Sequence, residues 1–76
     1  MVAYSLQNQI NNLEMDVKIQ KSNIAKLQSF ADSLPEGERK EFYLWKIKAE
    51  WEHVADLEQE ISDLERRLHF ATSSYV

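Results

Sequence analysis

Between Ala3 and Leu34 apolar side chains recur at two interleaved seven-residue spacings. Ala3, Ile10, Val17, Ile24 and Ala31 form one row; Leu6, Leu13, Leu27 and Leu34 form the other, with Gln20 as its polar exception. Repeats of this kind place both rows on a single stripe of an α-helix, and the stripe needs a partner helix to cover it. A first helix is therefore expected over residues 3–33. Its other faces are mostly Asn, Gln, Lys and Glu, apart from Met15 and Ile19 on a flank and Phe30 beside the seam. Met15 and Ile19 either meet a third helix or stand singly exposed, which is common on long helices.

The only proline and the only glycine, Pro35 and Gly37, fall just after this stripe. Pro35 disfavours the helical region for Leu34, and Gly37 permits a positive φ. Ser33 and Glu36 have the spacing of a capping box that would start the next helix. A tight reversal over residues 34–37 is expected, since a helix continuing through both residues would lose several kcal/mol.

A second helix is expected over residues 38–71, followed by a frayed tail over 72–76 whose last three residues resemble a C-terminus captured by strand addition only at the level of chance. Val54, Leu57, Ile61, Leu64, Leu68 and Ala71 keep the seven-residue pattern. Nearer the turn the phase is expected to shift, with Leu44 and Trp51 replacing Tyr43 and Glu50 beside Ile47. If the helices fold back antiparallel, facing residue numbers sum to about 71, so that Ile24 meets Ile47, Val17 meets Val54, Ile10 meets Ile61, and the Gln20 amide can accept from the Trp51 indole.

At 76 residues the chain makes one small domain, residues 1–76, and chains of this size rarely bury enough surface alone. With no cysteine, neither a disulfide nor a thiolate metal site can supply the missing stability, which leaves oligomerisation. No apolar run approaches the roughly 20 residues of a membrane span, and the first residues lack a secretory pattern, so a cytoplasmic location is the default expectation. The fold expected is all-α: an antiparallel two-helix hairpin with coiled-coil heptads, dimerising into a four-helix bundle. As an arrangement this is similar to the small Rop-type plasmid copy-number regulators. No residue or function is carried over from that likeness, because the acidic second helix departs from what an RNA binder needs.

Two features of the second helix bear on function. Phe42, Trp45 and Ala49 form a second apolar face, nearly opposite the one made by Leu44, Ile47, Trp51 and Val54. They either pack on another copy, fold over the turn against Phe30 and Leu34, or anchor a protein partner, for which tryptophan and tyrosine are favoured. Between residues 50 and 65 there are seven carboxylates and no lysine or arginine, so nearly all of the net charge of −4 resides on this helix. That stretch is either a solvated helix face or a surface that steers toward a basic protein partner. Direct nucleic-acid contact would need a basic stripe, and Arg66-Arg67 is a small one.

Chemistry of its own is not expected. Glu50 and His53 have the three-residue spacing of di-iron carboxylate bundles, but the facing level of the first helix offers Lys18, Gln20 and Lys21 in place of further ligands. His69 is expected to favour the dipole of its helix end when protonated. No serine, histidine and acid set is recognisable, and one glycine cannot make a phosphate loop. The expectation is thus a non-enzymatic regulator, without cofactor or metal, that binds and inhibits a larger protein through Phe42, Tyr43, Trp45, Ala49, Glu52, Asp56, Glu60 and Asp63. Its helix pairing and self-association are expected to use Ile10, Leu13, Val17, Ile24, Leu27, Ile47, Trp51, Val54, Leu57, Ile61, Leu64 and Leu68. Compact viral or plasmid genomes are the expected source of such chains. The alternatives are a purely structural oligomerisation protein and, least favoured, a metal-carboxylate enzyme.

Overall fold

The computed structural model describes residues 2–73. Two helices, α1 (Val2–Asp32) and α2 (Glu38–Ser73), pack against each other as a helical hairpin, and there is no strand among the described residues. The helix limits differ slightly from those expected: α1 begins one residue earlier, at Val2, and stops one residue earlier, at Asp32, while α2 continues two residues further, through Thr72 and Ser73. The last three residues of the expected tail lie outside the described residues. Among those described, no helix is long and apolar enough to cross a membrane.

The turn is built from backbone needs at both ends. Helix α1 tightens as it closes, with the Ser33 and Leu34 amides donating to the Phe30 and Ala31 carbonyls at 3.1 Å. The Ser33 hydroxyl also donates to the Phe30 carbonyl, at 2.6 Å. Ser33 therefore satisfies the end of α1 and does not cap α2, contrary to the capping-box expectation. That role falls to Gly37, whose carbonyl accepts the first bond of α2 from the Glu41 amide at 3.1 Å. Its φ of 149° lies where a side chain would be strained, which is why glycine stands here. Glu38 and Glu41 in the first turn of α2 complement the helix dipole.

Leu6, Ile10, Val17, Ile24 and Ala31 of α1 are buried against Ile47, Val54, Ile61 and Leu64 of α2. Leu13, Leu27, Tyr43, Leu57, Leu68 and Ala71 are half-buried around them. Near the turn the inner face of α2 is made by Tyr43, Ile47 and the half-buried Glu50. The expected phase shift is absent: Leu44 and Trp51 are exposed, at 41% and 48%. The two-helix seam is one side chain wide, so a residue one position round from it lies on the flank whatever its hydrophobicity. Of the twelve residues expected to pair the helices, Trp51 alone stands outside the packing.

The register differs as well. The Phe30 and Tyr43 rings meet edge-on with centroids 4.9 Å apart, Lys21 lies 4.0 Å from Glu58, Val17 shares a groove with Ile61, and Ile10 shares one with Leu68. Relative to the expected pairing, α2 is displaced by about one helical turn. Gln20 is half-buried and comes level with His53 and Leu57, so it does not pair with Trp51.

The hairpin measures 59 × 14 × 13 Å, with a radius of gyration of 17.4 Å. A compact domain of this length has a radius of gyration of about 11 Å. The accessible surface of 5924 Å² exceeds by about 1,000 Å² what a compact monomer of 9.0 kDa exposes. The core is a single layer, and deleting a member of it should be felt at once. Ile47→Ala is expected to lower stability by about 2–4 kcal/mol, and Trp51→Ala by less than about 1 kcal/mol, in chemical denaturation. Equal effects would restore Trp51 to the inner face.

Candidate functional site

Because both helices use their inner stripe on each other, whatever the chain presents to other molecules lies on its flanks and outer ridges. The richest of these surrounds the turn half of α2. Phe42 and Trp45 are 56% and 67% exposed, one helical turn apart, and Leu44 and Trp51 stand on the flank on the other side of Trp45. Tyr43, expected beside Phe42 as a partner contact, is instead half-buried against the core, its ring edge-on to both Phe30 and Phe42. Edge-to-face contacts of this kind hold the rings in place and pin Phe42 at the turn end.

The remaining expected partner residues continue from this point along α2. Ala49, Glu52, Asp56, Glu60 and Asp63 are all exposed. With Phe42 and Trp45, four of them (Ala49, Glu52, Asp56 and Asp63) follow one outer ridge at three- and four-residue steps, while Glu60 lies beside it. The ridge changes character along its length, apolar near the turn and acidic beyond residue 50.

That change belongs to the whole rod. In the turn half, residues 18–55, Lys18, Lys21, Lys26, Arg39, Lys40, Lys46 and Lys48 oppose Asp32, Glu36, Glu38, Glu41, Glu50 and Glu52, seven cations against six carboxylates, for a formal +1. In the open half only Arg66 and Arg67 oppose the seven carboxylates Glu14, Asp16, Asp56, Glu58, Glu60, Asp63 and Glu65, for −5. The net charge of −4 thus conceals a polarised molecule. Sequence order hides this, because α1 and α2 run in opposite directions, and Lys26 and Lys46 share a groove only after folding.

Shallow grooves run along the two flanks of the seam. On one flank Ala3, Tyr4, Ile10, Leu68 and His69 border a groove of about 580 Å³ at the open end. Beyond it Glu14, Glu58 and Glu65 surround Val17 and Ile61 in a groove of about 290 Å³. Lys21 approaches Glu58 at 4.0 Å, an exposed pair worth at most about 1 kcal/mol. Glu14 and Glu65 line the same two grooves, and no lysine or arginine lines either groove among the described residues. On the other flank His53 and Leu57 face Asp16, Ile19, Gln20 and Asn23, and nearer the turn Lys46 and Glu50 face Lys26 and Leu27.

Glu50 and His53 therefore stand in neighbouring grooves among amides and lysines. Among the described residues no three His, Cys, Asp or Glu side chains are grouped to hold a metal ion. His69 lies before the last turn of α2, with its ring 6.2 Å from that of Phe70. Lys40 was not anticipated: its side chain is only 19% exposed, and its ammonium lies 3.2 Å from Glu36. The four-residue spacing of Glu36 and Lys40 was the available signal. Compared with known families, curated proteins and solved structures, the chain matches none.

The crowding of carboxylates between Glu14 and Glu65 gives a direct test of the register. Glu65→Lys is expected to raise stability by about 0.5–1 kcal/mol at low salt, with the gain shrinking as salt screens it. A loss measured by thermal or urea unfolding would mean that the two side chains do not face each other.

Proposed function

We propose that this chain is a non-enzymatic interaction protein. In this reading its hairpin is a heptad coiled coil, it docks on a second copy to form a four-helix bundle, and it binds a larger protein, which it inhibits by covering a surface. The observation that carries the reading is the exposure of Leu44, Trp45 and Trp51 side by side on a rod 13–14 Å thick. Large aromatic groups held on a rigid helix, with charged Lys48 and Glu52 among them, have the composition of an interface hot spot surrounded by a polar rim. The long α2 presents them as an amphipathic helix presents anchors to a groove. The buried seam supports the coiled-coil part of the reading, since Ile10, Val17, Ile24 and Ala31 are buried at seven-residue intervals, as are Ile47, Val54 and Ile61. The excess exposed surface supports association with some further molecule.

Inhibition follows from what the rod offers. Its grooves are shallow and its side chains are surface groups, so its effect on a partner is to occupy a site.

The experiment is a capture from lysate of the native host, using immobilised wild type and a Trp45→Ala, Trp51→Ala variant in parallel. A protein held by the wild type, identified by mass spectrometry, should bind the variant at least tenfold more weakly, because truncating such an anchor removes about 2 kcal/mol or more. The solution mass of the variant should be unchanged. If the variant captures the same protein equally well, these tryptophans are not the contact; if the wild type captures nothing beyond itself, the chain's task is assembly alone.

A further inference from the structure

One flank of α2 carries a row of exposed side chains at alternating three- and four-residue steps: Arg39, Phe42, Lys46, Ala49 and His53, then Asp56, Glu60, Asp63, Arg67 and Phe70. This spacing is a straight stripe on a helix. It borders the seam on the side of Ile19 and Lys26, since His53 shares a groove with Ile19 and Lys46 shares one with Lys26.

The stripe is complementary to its own reverse. About a point midway between His53 and Asp56, Lys46 is matched with Asp63, and His53 with Asp56. Phe42 is matched with Arg67, and Arg39 with Phe70. The first of these pairs joins opposite charges, the second joins an imidazole to a carboxylate, and the last two set a guanidinium on an aromatic ring. Ala49 with Glu60 is the remaining pair and brings no clash. Two-fold symmetric contacts require this property, because residue i must suit residue j and j must suit i across the axis.

We propose that this stripe is the contact between two copies of the chain, docked antiparallel about a two-fold axis that passes between His53 and Asp56. The proposal rests on the self-association already put forward and specifies its face and direction. Four observations converge on it. The polarity of the rod sets +1 against −5 at both ends of an antiparallel pair, whereas a parallel pair would set −5 on −5. Phe42 and Phe70, 56% and 67% exposed and unaccounted for within the hairpin core, are both covered. Ile19, 53% exposed and beside His53, lies next to the axis and meets its own copy. The excess surface of about 1,000 Å² is of the size that one partner contributes to a standard interface, about 800 Å². Leu44 and Trp51 point away from this stripe and Trp45 stands on the crest beside it, so the dimer leaves Leu44 and Trp51 free for a larger protein.

The decisive test is a charge swap. Lys46→Asp alone and Asp63→Lys alone each place like charges together twice per dimer, and each is expected to raise the dimer dissociation constant by about tenfold or more at low salt. The double variant Lys46→Asp, Asp63→Lys restores opposite charges and should recover the wild-type constant, as followed by light scattering over a dilution series. Both positions are exposed, so circular dichroism should show unchanged helix in all three variants. The direction of docking is read separately from a nitroxide on Glu36→Cys, the chain having no other thiol. Antiparallel docking about the stated axis separates the two labels by about 50 Å, and parallel docking brings them within about 20 Å. A dimer with closely spaced labels, or a double variant no better than the singles, would overturn this arrangement while leaving self-association standing. A chain that stays monomeric at every concentration would overturn both, and the capture experiment on Trp45 and Trp51 would remain independent of either result.

Discussion

Everything in this molecule depends on one seam. A helix pair can bury only the stripe along which the two cylinders touch, so among the described residues nine side chains form the buried core and the others are surface or near it. The thickness of 13–14 Å is that of a single packed layer. Large hydrophobic residues beyond the seam have no interior to enter, and they stand exposed for a geometric reason. Met15, Ile19, Phe42, Leu44, Trp45, Trp51 and Phe70 all belong to this class.

Most of the fold was legible in the sequence, because the features that determine it are local. The seven-residue spacing in α1 names its buried residues almost without error, and Pro35 with Gly37 locates the turn to within a residue or two. Three things were less legible. The aromatic bulk of Trp51 and Leu44 suggested burial, yet position on the helix decides the matter. Tyr43 can lie at the seam because its ring packs on Phe30, and Glu50 because a flexible stem lets a half-buried residue keep its carboxylate toward a polar groove. Ser33 served the helix before the turn, not the one after it, a choice between two backbone needs that spacing alone does not resolve. The register depended on how the five connecting residues divide between the two helix ends, and a symmetric reversal about Pro35 and Glu36 misplaced it by about a turn.

The candidate surfaces were legible in part. Phe42, Trp45 and the run of carboxylates could be named from the sequence, but their relation to the first helix could not. Folding back sets Lys26 beside Lys46 near the turn and Glu14 level with Glu58 and Glu65 beyond it, with Lys21 facing Glu58 between them, so that the acidic excess collects toward the open end of the rod. It also sorts the exposed apolar groups onto two sides of α2: Phe42 with Phe70 on one, Leu44 with Trp51 on the other, and Trp45 on the crest between them. A chain with one seam for its own folding thereby has two further faces available for other molecules.

The short turn has a consequence for how the hairpin forms. Phe30 and Tyr43 are separated by a brief loop, whereas Ile10 and Leu68 come together only after most of the chain has been drawn in. Loop-closure entropy therefore favours starting at the turn and zipping toward the termini, each new layer closing on the one before it. The ring contacts around Tyr43 would be the first tertiary structure to appear and the last to be lost. The open end, where Tyr4 and Phe70 stand exposed, would fasten last and loosen first.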